Sequence, residues 1–111
     1  MLDITEQRDA GVIVLRPAGR IDNDTSLAFQ DRLLKVIAEG STLVDFAKVD
    51  FISSAGLAAL MTAAKQAKAA NARVACAGLN AVVQEIFAIS RFSRVIPVYG
   101  TAAEGVAALK A

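Results

Sequence analysis

Two adjacent serines, Ser53 and Ser54, are the side chains of this sequence whose type and position are best suited to chemistry. They follow the apolar pair 51–52 and stand at the start of an amphipathic segment that runs from Ser54 to Ala70. One interpretation is structural: either hydroxyl caps a helix by accepting a hydrogen bond from a free amide of its first turn. The other is functional: a hydroxyl accepts a phosphoryl group, because those amides and the positive end of the helix dipole favour an added anion. The pattern alone leaves both interpretations open.

Gly56 is compatible with both interpretations, because a missing side chain in the first turn would open the approach to the hydroxyl. Phosphorylation at this turn would add about 1.5 to 2 negative charges without unfolding the domain. We therefore expect the effect of phosphorylation to fall on a docked partner rather than on the stability of the fold.

The composition removes most catalytic and metal chemistry. Histidine is absent from all 111 residues, which excludes imidazole bases, His-dependent triads and the commonest transition-metal ligand. The single cysteine, Cys76, lies in the apolar run 73–77 and is predicted to be a buried, reduced core residue. The sequence has no phosphate-binding glycine loop and no CxxC pair. It therefore predicts a protein that is not an enzyme and has no catalytic residue, cofactor or metal site.

Charge and hydropathy exclude two kinds of partner. Twelve Lys and Arg against eleven Asp and Glu give a net charge of +1, with no basic block, so nucleic acid binding is not expected. Residues 1–6 lack the basic and then apolar order of a signal peptide, and no segment reaches the roughly 18 apolar residues of a membrane helix. We expect a cytoplasmic protein without membrane insertion.

The serine turn lies within an alternation of strands and helices. Residues 2–7 and 12–15 predict an antiparallel hairpin, and the later strands are predicted at 42–46, 73–77 and 95–99. The helices are predicted from 23 to 39, from 54 to 70, after Asn80, and from 101 to a point near Lys110. The order ββαβαβαβα predicts one α/β domain over residues 1–111, with a mixed, mostly parallel five-stranded sheet and four helices.

Local signals refine these elements. Residues 22–24 offer caps for the first helix, Asn80 caps the third, and residues 101–104 have the spacing of a capping box before the fourth. Pro97 predicts an edge position for the last strand. Pro17 is expected to end the second strand or to mark a bulge in it, because proline donates no ladder hydrogen bond.

Some of these residues resemble a known family. The stretch Phe51-Ile52-Ser53-Ser54-Ala55-Gly56-Leu57, with Gly19-Arg20-Ile21-Asp22 before the first helix and Phe87-Ala88-Ile89-Ser90 in the third, resembles the STAS domain of bacterial anti-sigma-factor antagonists. The resemblance covers nearly the whole chain and implies a STAS-like fold. It also implies partner switching, in which the antagonist binds an anti-sigma factor that is a serine kinase and thereby frees a sigma factor. Phosphorylation by that kinase ends the complex, and a PP2C-type phosphatase restores it.

The resemblance also implies which residues form the site. The family's phosphoacceptor follows an aspartate in an Asp-Ser-(Ser/Thr)-Gly-Leu motif and falls on Ser54, while Ser53 replaces the aspartate and Ala55 the second hydroxyl residue. Asp22 matches an acidic position used at the kinase interface, with a helix cap or a solvated loop charge as the structural alternative. The implied partner-binding residues lie in the 22–25 loop and the first turns of the Ser54 helix: Asp22, Asn23, Thr25, Ser53, Ser54, Ala55, Gly56 and Leu57.

The departure at Ser53 keeps other functions open. One alternative is a STAS subunit that is not phosphorylated and docks on the ATPase of an ABC transporter. Another is a small α/β enzyme, which the absence of histidine and of a phosphate-binding loop disfavours. Recovery of such an ATPase without a kinase would favour the first alternative, and turnover by the purified protein would favour the second.

Overall fold

Strand β2 (Val12–Ile21) is the longest strand of the sheet in the computed structural model, which describes residues 2–110. Strand β1 (Asp3–Asp9) pairs with it antiparallel along its length. Ala10 and Gly11 connect the two strands with φ of 52° and 85°, as the tight turn of a right-twisted hairpin requires. The predicted hairpin is therefore confirmed, with a second strand longer than expected.

The other edge of β2 pairs with two strands in succession. Strand β3 (Thr42–Asp45) lies parallel to its first half and β4 (Lys48–Ile52) parallel to its second half. The chain turns between them, where the Asp45 carboxylate accepts the N–H of Ala47 at 3.0 Å. Within the described chain the sheet thus has six strands instead of the predicted five. No glycine or proline marks the turn, so the sequence pattern does not separate β4 from β3.

Strands β5 (Val74–Ala77) and β6 (Val98–Tyr99) complete the order β1-β2-β3-β5-β6, and the pairs formed by β3, β4, β5 and β6 are all parallel. Pro97 directly precedes β6, which is an edge strand as predicted. β6 is shorter than the strand predicted at 95–99. The 3-10 turn Phe92–Arg94 accounts for this difference. The carbonyl of Phe92 accepts the N–H groups of Val95 and Ile96, so these two residues do not join the strand.

Pro17 does not end β2, which corrects the predicted strand end. It faces Ile4 of β1 and lies between the part of β2 that pairs with β3 and the part that pairs with β4. Proline has no backbone N–H to donate, and at this position neither β3 nor β4 needs a donor from β2. The irregularity in the pairing lies further on, between Gly19 and Arg20.

Within residues 2–110 the sheet is covered by the four predicted helices: α1 (Ser26–Ile37), α2 (Ser54–Ala69), α3 (Ala81–Ile89) and α4 (Ala102–Lys110). The first three share one apolar core, in which Phe29, Leu60 and Phe87 are buried. Helix α4 packs on the opposite face with Val106 and Leu109, because alternate side chains of β2 point to opposite sides of the sheet. No helix in this part of the chain is long and apolar enough to span a membrane.

Cys76 of β5 is fully buried, as predicted. Burial raises the pKa of its thiol, because the thiolate would lose its hydration. The sulfur therefore remains protonated and is shielded from reagents in the folded chain.

Candidate functional site

The two predicted site segments leave the sheet side by side. Strands β2 and β4 are parallel neighbours whose last residues, Ile21 and Ile52, are paired in register. The N–H of Ser53 continues that pairing by donating to the Ile21 carbonyl at 2.8 Å. Because both strands end at the same edge, the 22–25 loop and the start of α2 lie next to each other.

Ser53 fits the structural interpretation of the serine turn, and Ser54 remains available for the functional one. Ser53 is the N-cap of α2, with an extended backbone and an Oγ that accepts the N–H of Gly56 at 3.3 Å. Ser54 is the first helical residue, and it is exposed. Since Ser53 supplies the cap, the hydroxyl of Ser54 is left accessible. The first turn of α2 contains no acidic residue, so it leaves the positive end of the dipole without a carboxylate of its own.

Gly56 has a packing role instead of the role predicted for it. It is buried, and a Cβ at this position would lie 2.6 Å from Cγ1 of Ile52 and 2.7 Å from Cγ2 of Ile21. The glycine therefore allows α2 to approach the ends of β2 and β4 closely. The expectation that Gly56 opens a path to the hydroxyl is wrong, because its open side faces the core. A buried glycine also offers a partner no side chain.

The other predicted contact residues are accessible to different extents. Asn23 is exposed, whereas Thr25, Ala55 and Leu57 are each partly exposed. Leu57 also packs against the apolar core beneath α2. Its side chain therefore contributes to the fold whether or not it touches a partner.

Asp22 folds the 22–25 loop and caps the turn that leads into α1. Its Oδ1 accepts the N–H groups of Asp24 at 3.0 Å and Thr25 at 3.2 Å. The Thr25 hydroxyl lies within donating distance of the same oxygen, at 3.2 Å, and of the Arg20 carbonyl, at 2.9 Å, so its one proton can be donated to either acceptor. Thr25, the residue directly before α1, makes no side-chain cap bond, whereas the Asp22 carbonyl accepts the N–H groups of Thr25 and Ser26 and its Oδ1 accepts those two and three residues on, so the predicted cap at 22–24 is supplied by Asp22 one turn earlier.

These bonds also determine the ionisation of Asp22. Partial burial alone would raise the pKa of its carboxyl, but the hydrogen bonds from the Thr25 hydroxyl and from the loop N–H groups outweigh that effect. The nearby Arg20 acts in the same direction, and the pKa of Asp22 lies below its ordinary value. The loop therefore presents a carboxylate that stays ionised well into the acidic range.

Arg20 and Phe51 belong to this edge of the sheet, although sequence reasoning did not select them as site residues. They pair in register on β2 and β4, with the guanidinium carbon of Arg20 4.7 Å from the centroid of the Phe51 ring. The Nε of Arg20 lies 3.9 Å from Oδ2 of Asp22. The signal that could have found them is the pairing of β2 with β4, which is visible only once β4 is recognised as a strand.

Asn80 connects the start of α3 to the strand that leads to the serines. Its Oδ1 accepts the N–H of Val83 at 2.8 Å, which confirms the predicted cap. Its Nδ2 donates to the carbonyl of Val49 in β4 at 3.0 Å. One amide side chain therefore holds the first turn of α3 beside β4, the strand that leads to the serines.

Residues 4–97 match a family model described as "Mlab, STAS domain". The match spans most of the chain, so the chain belongs to the STAS domain family, as its serine motif had indicated.

Several proteins similar to this chain are named as anti-sigma factor antagonists. The chain is 25% identical over 111 residues to BtrV of Bordetella bronchiseptica, named as an anti-sigma factor antagonist, with 98% of this chain and 96% of BtrV covered. An anti-sigma factor antagonist from Mycobacterium paratuberculosis superposes with a TM-score of 0.91 at 18% identity, covering 100% and 96% of the two chains. The unphosphorylated form of the anti-sigma factor antagonist SpoIIAA superposes with a TM-score of 0.78 at 15% identity, covering 94% and 93%. At these identities the structural matches establish the fold.

Proposed function

We propose that this protein is a non-enzymatic regulator, an anti-sigma-factor antagonist whose binding to an anti-sigma factor ends when Ser54 is phosphorylated. The observation that carries the proposal is the exposed Ser54 at the start of α2, beside the 22–25 loop, with the helix cap supplied by Ser53. The names of BtrV and of the M. paratuberculosis protein support the partner class. We place the complex in the cytoplasm, where a bacterial sigma factor acts.

The proposed partner is an anti-sigma factor with serine kinase activity. In the transfer step, the Ser54 Oγ attacks the γ-phosphorus of ATP, the new O–P bond forms, and the bond to the bridging oxygen of ADP breaks. The hydroxyl proton passes to a base on the kinase, and ADP leaves. A PP2C-type phosphatase reverses the modification by adding water to the phosphoserine, which releases inorganic phosphate and regenerates the hydroxyl.

The surroundings of Ser54 explain why the added charge would end binding without unfolding the chain. The start of α2 favours an anion, because free N–H groups and the positive end of the helix dipole lie there and the first turn contains no carboxylate. The adjoining loop already carries Asp22 and Asp24. A docked partner would have to desolvate the new phosphate beside these carboxylates, which can cost several kcal/mol where the partner offers no cation.

The test is phosphorylation by the cognate kinase. We expect the purified chain, mixed with its anti-sigma factor and ATP, to yield a phosphopeptide modified at Ser54 and to lose binding. Ser54→Ala should abolish the modification and leave binding intact, whereas the matched control Ser53→Ala should still be modified. Modification at Ser53 alone would contradict the assignment, because that hydroxyl is engaged in the cap.

A second candidate function follows from Ser53, which stands where the antagonist motif has an aspartate. A STAS subunit that docks on the ATPase of an ABC transporter would need no phosphoacceptor. Affinity capture from cells separates the two candidates. An anti-sigma factor in the captured complex supports the antagonist, and a transporter ATPase without a kinase would replace it.

A further inference from the structure

Arg20 is a cation whose contacts lie at the same sheet edge as Ser54. It is held by the face of the Phe51 ring, at 4.7 Å, and by an ion pair to Asp22 that spans 3.9 Å. Its side chain is 61% exposed. These are loose restraints, because the ion pair is longer than a hydrogen bond and the ring contact is not directional like one.

The contact with Phe51 leaves the donors of Arg20 available. The Phe51 ring attracts the guanidinium through its π-face and has no lone-pair acceptor, so it engages none of the five N–H donors in a conventional hydrogen bond. Two parallel N–H donors in one plane match the oxygens of a phosphate, which a guanidinium binds bidentately. Phe51 therefore acts as a platform that positions Arg20 without consuming its hydrogen bonds.

Asp22 does not depend on Arg20 for its place in the loop. Its Oδ1 is bound by the N–H groups of Asp24 and Thr25, and Arg20 lies nearest its other carboxylate oxygen, Oδ2. These loop bonds would persist if the guanidinium turned away. Arg20 can therefore exchange its partner without unfolding the loop.

The pairing of the strands places Arg20 and Ser54 at the same edge of the sheet. Arg20 is opposite Phe51, the next residue along β2 is opposite Ile52, and the Ser53 N–H donates to the carbonyl of Ile21. Ser54 is the residue that follows. Ser54 is thus three residues beyond Phe51, roughly 10 Å along the strand direction in addition to the strand spacing of about 4.8 Å. Contact between Arg20 and a phosphate on Ser54 therefore requires both side chains to extend along this edge toward Asp22, whose Oδ2 the Nε of Arg20 already approaches at 3.9 Å.

Building on the proposed function, we propose that Arg20 is the receptor for the phosphoryl group on Ser54, and that its guanidinium leaves Asp22 to pair with the phosphoserine. Phosphorylation would then alter two parts of the partner surface together. The phosphate would occupy the start of α2, and the carboxylate of the 22–25 loop would lose its countercharge. The change at a helix would in this way be transmitted to the loop beside it.

The test uses phosphoserine incorporated at position 54 during translation, so that no kinase is needed. The second ionisation of the phosphate is followed by 31P NMR as a function of pH, in a background where the carboxylates of Asp22, Asp24 and Asp50 and the start of α2 are unchanged. We expect Arg20→Gln to raise the phosphate pKa by about half a unit, since it removes an exposed pairing cation.

The matched control is Arg16→Gln on the same strand. Arg16 pairs with Asp45 at 3.1 Å, away from the ends of β2 and β4, and its removal should leave the phosphate pKa within about 0.1 unit of the parent value. The side-chain Nε–H signal of Arg20, but not that of Arg16, should move when position 54 is phosphorylated. Thermal unfolding of each variant verifies that the fold is retained.

The outcomes separate this inference from the proposed function. Equal phosphate titrations in the parent and in Arg20→Gln would overturn the receptor role while leaving phosphorylation untouched. A kinase that never modifies Ser54 would overturn the proposed function without affecting this titration, because the phosphoserine is built into the chain.

Discussion

Helices α2 and α4 begin with the same kind of cap but differ in the charge of their first turns. Ser53 and Thr101 each use a hydroxyl oxygen to accept the N–H three residues on, at 3.3 and 3.2 Å. Helix α4 adds Glu104, whose Oε1 lies 3.1 Å from the Thr101 hydroxyl, as its predicted capping-box spacing indicated. Helix α2 has no acid in its first turn and exposes Ser54. The first turn of α4 contains its own anion, whereas that of α2 can accept one.

Substitution of the glycines near the starts of α2 and α4 should give the largest difference in the free energy of unfolding. A Cβ on Gly56 would meet Ile52 and Ile21 close to their branch points, whereas one on Gly105 would meet the tip of Leu43, at 2.5 Å from its Cδ1. Gly56→Ala should lower the free energy of unfolding by about 1 to 3 kcal/mol, because branched side chains have little freedom to move aside.

Gly105→Ala is the control for that substitution, and urea unfolding of the two variants measures the difference. We expect a much smaller loss, since the end of a leucine can shift and alanine gains about 0.8 to 1 kcal/mol over glycine in a helix interior. Equal losses would show that the two helix–sheet contacts are equally rigid.

Truncation of each serine to alanine should change the free energy of unfolding by a different amount. Ser53→Ala removes the cap of α2 and should cost about 1 kcal/mol. Ser54→Ala removes an exposed hydroxyl outside the cap and should change the free energy of unfolding by less than about 0.5 kcal/mol. Chemical denaturation of both variants decides the matter, and a larger loss at Ser54 would reverse the roles assigned to the two hydroxyls.

An acid introduced at the start of α2 should give this helix part of the electrostatic stabilisation that Glu104 gives α4. Ser54→Asp should stabilise the fold by about 0.3 to 1 kcal/mol at low salt, because a carboxylate is favoured near the positive end of a helix. Glu104→Gln should lose a similar amount from α4. Both effects should shrink as salt is added. Strong destabilisation by Ser54→Asp would show that this helix start cannot tolerate a charge.

The smallest expected effect is a pH dependence at the 22–25 loop. The pKa of Asp22 is lowered in the folded chain, so its ionised form stabilises the fold above the ordinary carboxyl value. This contribution is lost as the pH falls through the lowered value. Asp22→Asn keeps an acceptor for the loop N–H groups but cannot titrate. Unfolding midpoints from pH 7 to pH 3 should therefore decline less steeply in Asp22→Asn than in the parent chain.

The sequence was informative where one local signal decided the structure. The four helices were predictable because apolar residues recur at helical spacing, and Asn80 was predictable as a cap because it directly precedes such a segment.

The sequence was less informative where two distant segments decide the structure together. Strand β4 follows β3 without a turn residue, so it was missed, and the pairing of Arg20 with Phe51 was missed with it. The packing role of Gly56 depends on side chains from two strands, which no local pattern contains.

Burial of Cys76 gives this chain an internal reporter of global opening. A thiol that is sealed under native conditions and reactive only when the sheet separates will be alkylated at a rate proportional to the population of opened molecules. Mass spectrometry after a timed exposure to iodoacetamide would then rank the variants above without denaturant. Any cysteine placed on the surface for attaching a dye could be labelled selectively in the folded protein.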